Sequence, residues 1–507
     1  MNSVPRLLIT ASSSGGGKTT LTCALLAAFS ARGLKTAAFK CGPDYIDPLF
    51  HREICGTPSS NLDLFMLGEA AALSLFEHRA RDADIAVIEG AMGFYDGIGA
   101  SSRASAWEAA CLTQTPAVLI EDCRASALTV AARLMGLIRF REPQLVRGII
   151  LNNCGESLFL ELKKAIETET GVKVYGFLPF MRDCHIKSRH LGLVTPDETS
   201  ELHKKIAAAA AQIKQSVDLD ALIELAREAV SENSQFGRIF ALRAKTGLSA
   251  PIAGAMDGAG TVQGRKAALG AFLPKAEMPS SKIGTRPIFE PIPLQSLARL
   301  QTVAVARDKA FCFYYEDALS LLVEMGAELR FFSPLAGETL PPDARGLYLG
   351  GGYPELYAKE LSANAALRRE IRQAVQDGLP CIAECGGFMY LHDTLFDGEG
   401  RAWPMCGAVS GACRKTEKLI RFGYAAYTAL HDNLLCGAGE ILRGHEFHYW
   451  ESDDSGADFI AEKPSTGATW NAIIARGNLF AGFPHFHLCG KPEAARCFLQ
   501  RCVDYAA

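Results

Sequence analysis

Two short stretches of this chain hold residues whose types and spacing are those of reactive groups. The first, LLITASSSGGGKTT over residues 7–20, runs from an apolar strand pattern through three glycines into a lysine and two threonines. Gly15, Gly16 and Gly17 free backbone N–H groups to turn inward around an anion at a helix start. Lys18 would reach the β- and γ-phosphates of a nucleotide, and the hydroxyl of Thr19, with Thr20 beside it, suits Mg²⁺. Ser12 stands where the strict G-x-x-x-x-G-K-[ST] pattern has glycine, which breaks the pattern and leaves the strand and helix flanks intact. The second stretch, LPCIAECGGFMYL, places Cys385 between an apolar strand and a helix opening at Gly386-Gly387. A thiol on such a turn needs small neighbours, and the helix start favours the thiolate as nucleophile. Upstream, Gly350, Gly351 and Gly352 of LYLGGGYPE, with Gly386, suit an oxyanion site built from backbone N–H groups. Either His485 or His487 of AGFPHFHL is the matching base, and RGHEFHYWE holds further histidines between.

Acidic residues stand near the first stretch. In AAFKCGPDYIDPLFH, Asp44 and Asp47 follow a strand expected to lie beside the phosphate-loop strand, at the carboxyl edge where open α/β sheets bind ligands. Carboxylates there hold Mg²⁺ or steer an acceptor; as turn or cap residues they would be structural. IAVIEGAMGFYDG ends a strand at Glu89, a second metal-side carboxylate, and Asp96 beyond it reads as a turn residue.

A frame of strands must position these groups. RLLITA, TAAFK, IAVIEGA, PAVLIED and RGIILNN are apolar runs bounded by glycine, proline or charge, with helical patterns such as 19–32 and 125–139 between them. That alternation predicts a parallel sheet covered on both faces. VKVYGFLPF closes the unit, and a helical pattern follows over about 201–231. Gly, Pro, Ser and Ala gather over 232–299, the texture of a connector or insertion. A second alternating unit opens with QTVAVARD, runs through ELRFFSP, RGLYLGGGYPE and LPCIAECGG, and turns β-rich as far as HFHL. The expected organisation is two α/β domains, 1–231 and 300–507, joined by the 232–299 segment.

Composition narrows the class. The 507 residues are 49% hydrophobic and 21% charged, ordinary for a globular protein and ample for more than one core. A formal net charge of -4 makes nucleic acid a poor partner. Sixteen scattered cysteines with no C-x-x-C pair exclude a zinc ribbon, a thioredoxin motif and a small disulfide framework. The opening MNSVPRLLIT lacks the segments of a secretory leader, and no run approaches the ~18 apolar residues of a membrane helix. A reduced, cytoplasmic enzyme without membrane attachment is expected, with a homodimer one assembly open to it.

KCGPDYIDPLFH, IEGAMGFYDG, SRHLGLVTPDE, GGGYPE, AECGGFMYL and RGHEFHYW occur in series. In these motifs and their order the chain resembles the cobyrinic acid a,c-diamide synthase family over nearly its whole length apart from 232–299. The resemblance implies an N-terminal P-loop synthetase domain similar to dethiobiotin synthetase and a C-terminal class I glutamine amidotransferase domain with a flavodoxin-like sheet. It implies ATP and Mg²⁺, glutamine as nitrogen donor, and a tetrapyrrole carboxylic acid as acceptor. The implied activity is amidation of the a and c side-chain carboxylates of cobyrinic acid through acyl phosphates, in cobalamin biosynthesis. Hydrogenobyrinic acid and Ni-sirohydrochlorin are alternative acceptors that loops alone do not separate. By resemblance, Asp44, Asp47 and Glu89 serve the synthetase reaction and Lys40 adds positive charge beside the phosphates. Tyr45 and Ile46 choose the substrate carboxylate, His51, Arg189 and His190 meet the substrate, and Asn152 recognises adenine.

Two departures stand out. Many class I glutaminases carry a glutamate two residues after the histidine, where this chain has His487, and the family's tyrosine before the histidine is missing from GFPHF. Two other functions compete. A deviant P-loop ATPase can act as a nucleotide switch, but such switches carry a second loop lysine, where this chain has Ser13, and no Cys-dependent glutaminase. A stand-alone glutaminase feeding a partner leaves the N-terminal half without a use.

Overall fold

The computed structural model describes residues 4–181, 196–230 and 301–506. Arg189, His190 and the 232–299 segment lie outside the described residues. In the N-terminal half, β1 (Arg6–Ala11), β2 (Thr36–Cys41), β3 (Ser59–Leu62), β4 (Ile85–Glu89), β5 (Ala117–Asp122), β6 (Val146–Asn152) and β7 (Val174–Leu178) form one seven-stranded sheet in the order 3-2-4-1-5-6-7. Every pairing in it is parallel. Helices cover both faces, which is why strands such as β1 and β4 are buried end to end and read as unbroken apolar runs. The polar strand β3, SSNL, carries no such signal; it forms at the sheet edge beside β2.

The strand order corrects one expectation. β2 is not the neighbour of β1, because β4 runs between them. The crossover from β1 through α1 (Lys18–Ser30) skips one position, and the later strand fills it. Register then sets the chemistry: Glu89 at the end of β4 pairs with Lys40 of β2 on one side and Ile9 of β1 on the other. A second difference concerns 201–231, which holds two helices, Pro196–Ser216 and Leu219–Glu228. Asp218 restarts the helix by accepting the Ala221 amide at 3.0 Å.

In the C-terminal half, β8 (Gln301–Ala306), β9 (Ala327–Phe332), β10 (Gly346–Leu349) and β11 (Cys381–Glu384) lie parallel in the order 9-8-10-11, followed by Leu479–Gly482. Ile474–Arg476 closes that six-stranded sheet as its antiparallel edge. By chain position the five parallel strands run 2-1-3-4-5, the flavodoxin-like order. Four- and five-stranded sheets follow, the β-rich part expected after Cys385.

The halves share one apolar core. Phe65, Met66, Leu67 and Leu75 pack in the same buried cluster as Leu319, Leu322, Phe486 and Leu488, and each such side chain removed from water is worth about 1.5–3 kcal/mol. Polar groups fix the docking. Asp63 caps the helix Leu64–Ala80 through the amides of Phe65 (2.9 Å) and Met66 (2.8 Å) and accepts the Tyr424 hydroxyl at 2.8 Å. Asp317 accepts Ser60 Oγ at 3.0 Å and Arg79 Nε at 2.6 Å. The cysteines among the described residues are free thiols, most of them buried, and no helix there is long and apolar enough to cross a membrane.

Candidate active site

The phosphate loop leaves β1 and enters α1 at Lys18. Gly17 has φ +98°, and a Cβ there would stand 2.4 Å from Asn152 Nδ2, so a side chain is excluded both by backbone conformation and by space. The Asn152 amide donates to Gly16 O at 2.9 Å, which puts this residue under the loop that it was expected to serve from the adenine side. Lys18 Nζ donates to Ser13 O at 2.9 Å and to Met92 O. Burial, reinforced by the charge of Lys40, lowers the Lys18 ammonium to about 8. Asp96 accepts the Gly93 amide at 2.8 Å, the turn role expected of it.

One buried cluster gathers four of the residues singled out in the sequence. Glu89 Oε1 accepts Thr19 Oγ1 at 2.7 Å and Lys40 Nζ at 2.9 Å. Asp47 pairs with Lys40 through Oδ2 and lies 3.3 Å from Thr19 Oγ1 through Oδ1. Burial alone would lower the Lys40 pKa, but Asp47, Glu89 and Asp44 together raise it well above the ordinary value. Glu89 is lowered despite its burial, by Lys40 and His51, while burial and the Glu89 charge raise Asp47. A hydroxyl with two carboxylates in reach fits Mg²⁺, which takes one or two protein carboxylates and leaves its other positions to phosphate and water. No group of three or more His, Cys, Asp or Glu among the described residues forms a cage for a metal by itself.

The loop after β2 divides its residues among different tasks. Asp44 Oδ1 accepts the amides of Ile46 (2.7 Å) and Asp47 (3.2 Å), which leaves Oδ2 for a ligand. Asn61 holds the loop through Gly42 O at 2.9 Å and Asp44 O at 2.7 Å. Ile46 packs against the small cluster of Cys23, Phe50 and Ile206. His51, expected to meet the substrate, turns inward. It is fully buried, with Nδ1 2.9 Å from Ser59 Oγ and Nε2 3.0 Å from Glu89 Oε2. Both ring nitrogens are engaged, one by β3 and one by the end of β4, so His51 braces Glu89.

Cys385 follows β11 in a strained conformation, φ 47° and ψ −100°, with Gly386–Leu391 next as a helix. Its amide donates to Gly482 O at 2.7 Å and its carbonyl accepts the Met389 amide at 2.9 Å. His485, not His487, meets the thiol. Burial would lower His485, but its hydrogen bond to Cys385 and the nearby Glu384 raise it to about 10. His487 is buried against Tyr315, rings stacked at 4.6 Å, and burial lowers it to about 3. Gly350 does not offer a free N–H to an oxyanion. Its amide donates to the Tyr314 hydroxyl at 2.8 Å and its carbonyl accepts Gly387 N at 2.9 Å, because the fold stitches this first glycine into the sheet end. Gly351 lies against the base, and a Cβ there would stand 2.4 Å from His485 Cε1.

The two groups of residues meet at Tyr45. Its ring lies 5.1 Å from Phe313, 4.5 Å from Tyr315 and 5.3 Å from His485, centroid to centroid. The loop that carries Asp44 and Asp47 therefore touches the imidazole beside Cys385. The sequence reading missed Glu384, Tyr348, Tyr314 and Tyr315; of these only Glu384 had a signal, its place immediately before the thiol. A thiol beside an imidazole can open an amide, and a phosphate loop with a lysine–carboxylate cluster can transfer a phosphoryl group.

Comparison with known proteins adds identity to geometry. Residues 7–193 match the CobQ/CobB/MinD/ParA nucleotide binding domain, and residues 302–493 match the CobB/CobQ-like glutamine amidotransferase domain. The chain is 36% identical over 501 residues to the cobyrinate a,c-diamide synthase of Caldanaerobacter subterraneus, covering 98% of each chain. It is 34% identical to that of Dehalococcoides mccartyi over 99% of each chain, and 35% identical to that of Salmonella typhimurium over 97% of each. With this similarity running from end to end and both domains in series, the chain belongs to the cobyrinate a,c-diamide synthase family of enzymes.

Proposed function

We propose that this enzyme amidates the a and c side-chain carboxylates of cobyrinic acid, with ATP and glutamine, through acyl phosphates. The observation that carries the reading is the contact of Tyr45 with His485, which joins a phosphoryl-transfer cluster to a thiol–imidazole pair in one chain. A carboxylate is a poor electrophile, because its charge is delocalised and oxide is a bad leaving group. Gly15, Gly16, Gly17 and Lys18 cradle the triphosphate, and Lys40 offsets charge as the γ-phosphoryl group passes to a carboxylate oxygen with release of ADP. Thr19, Asp47 and Glu89 would hold Mg²⁺, which when bound offsets charge on the phosphate oxygens. Asp44 and Tyr45 face the acceptor carboxylate. Cys385 Sγ attacks the side-chain amide carbon of glutamine, the C–N bond breaks, and His485 returns a proton to the departing ammonia. Gly351, Gly352 and Gly386 line the oxyanion side, and water then releases glutamate from the thioester. Ammonia attacks the acyl phosphate, and phosphate leaves. Residues 1–231 and 300–507 are the two functional units in this reading, with 232–299 between them.

The test is synthesis by purified protein with Mg-ATP and glutamine, read by mass spectrometry on cobyrinic acid, hydrogenobyrinic acid and Ni-sirohydrochlorin side by side. Cobyrinic acid becomes its diamide. Cys385→Ser abolishes glutamine use and retains synthesis from ammonia, and Lys18→Ala abolishes both. Product from Lys18→Ala would remove the phosphate-loop assignment. Absence of phosphate release with every tetrapyrrole acid would favour a nucleotide switch.

A further inference from the structure

We propose that Glu384, the residue immediately before the thiol, supplies the carboxylate that orients the His485 imidazole, in place of an acid two residues after that histidine. The inference rests on the glutaminase reading above. Position 487 cannot supply a carboxylate, and in the structure both ring nitrogens of His487 lack hydrogen-bond partners while its ring stacks on Tyr315. His485 Nδ1 also lacks a hydrogen-bond partner, although His485 is only 4% exposed. The carboxylate that comes near it is that of Glu384, with Oε2 3.7 Å from Nδ1. That distance is longer than a hydrogen bond. Contacts of catalytic groups in ligand-free enzymes are often long and tighten when substrate binds.

The carboxylate is itself held from two sides. Its Oε1 accepts the Phe486 amide at 3.2 Å, and its Oε2 accepts the Tyr348 hydroxyl at 3.3 Å. These contacts follow from register. β11 pairs with Leu479–Gly482 so that Glu384 lies beside Gly482, and the chain runs from there directly into His485. The residue before the nucleophile is thus the side chain on β11 best placed to meet the base. Glu384 is 3% exposed, so its charge is little screened by water.

The chemical role is that of a positioning residue. A carboxylate at Nδ1 keeps the proton on that nitrogen and leaves Nε2 to the thiol. With the thiol proton held on Nε2 the imidazole is a cation while Sγ bonds to the amide carbon. Glu384 offsets that charge without taking a proton. When the C–N bond breaks, the Nε2 proton leaves with ammonia and the imidazole is neutral again.

Glu384→Gln tests this in the full-length enzyme, because the amide keeps the shape and removes the charge. The expected result is a fall of about 10²–10⁴-fold in kcat for glutamine hydrolysis, with KM for glutamine within about threefold and ammonia-dependent synthesis unchanged. Glu384→Asp should recover at least about tenfold over the Gln variant. Hydrolysis by Glu384→Gln within about threefold of wild type would overturn the proposal. If Glu384→Gln also loses ammonia-dependent synthesis, the Asp variant decides, and an Asp variant as inactive as Gln overturns it. Cys385→Ser run in parallel separates the two readings: its loss of glutamine use upholds the glutaminase whatever Glu384 does, and glutamine-dependent synthesis by that variant would remove the glutaminase reading itself.

Discussion

Lys18 and Lys40 are both buried near the nucleotide loop, yet their surroundings move them in opposite directions. Lys18, stripped of water and facing Lys40, is lowered to about 8, whereas the carboxylates around Lys40 raise it. A triphosphate favours the charged form of Lys18, so its pKa must rise on binding. MgATP binding at pH 8 should therefore take up about half a proton, falling toward zero near pH 6.5, where Lys18 is already charged. Calorimetry in buffers of different ionisation heat measures this, and Lys18→Met should abolish it. Removing the Lys40 charge leaves Asp47 and Glu89 facing each other in a dry site. Lys40→Met should lower stability by about 3–5 kcal/mol, read from urea unfolding. At this scale the sequence was informative about which residues matter and poor about what they touch. Glu89, Lys40, Asp47 and Thr19 were all legible as candidates. The contact of His51 with Glu89 was not legible, because that partner belongs to a different segment of the chain and nothing local in FHREI announces a brace.

The elements that carry these residues were legible where burial is two-sided. In the N-terminal sheet each strand except β3 carries an apolar run, and the nucleophile turn is marked by Cys385 between a strand and two glycines. β3 was lost because SSNL spends its side chains on hydrogen bonds at the edge. The insertion of β4 between β1 and β2 was lost because strand order belongs to crossovers, not to local pattern. Of the three glycines after β10, the sequence could not tell which is stitched into the fold and which faces the base. Gly351→Ala tests that division. The added methyl has to displace His485, so glutamine hydrolysis should fall about 10²-fold while ammonia-dependent synthesis stays within about twofold of wild type.

Among the described residues the two halves share a buried apolar cluster, and Asp63 sits in that junction under the Tyr424 hydroxyl. Burial raises the Asp63 carboxyl to about 6, above its unfolded value near 4, even though it accepts three hydrogen bonds. The folded state therefore holds this proton more tightly than the unfolded chain. Its contribution to stability is greatest below pH 4, falls by about 3 kcal/mol as pH rises to about 6, and is flat above. Urea midpoints of the wild type minus those of Asp63→Asn, followed from pH 4 to 7, should trace that fall. That two domains follow each other in the chain was readable from texture, but the junction was not, because its residues are ordinary apolar side chains until the fold brings them together. Tyr45 makes that junction more than a seam. One ring ties the loop bearing Asp44 and Asp47 to the imidazole beside Cys385. Over generations the two sites cannot drift independently: a substitution that refits the loop to another acid also reshapes the nitrogen donor's pocket, and compensating changes are to be sought in the other half of the chain, where it meets Tyr45.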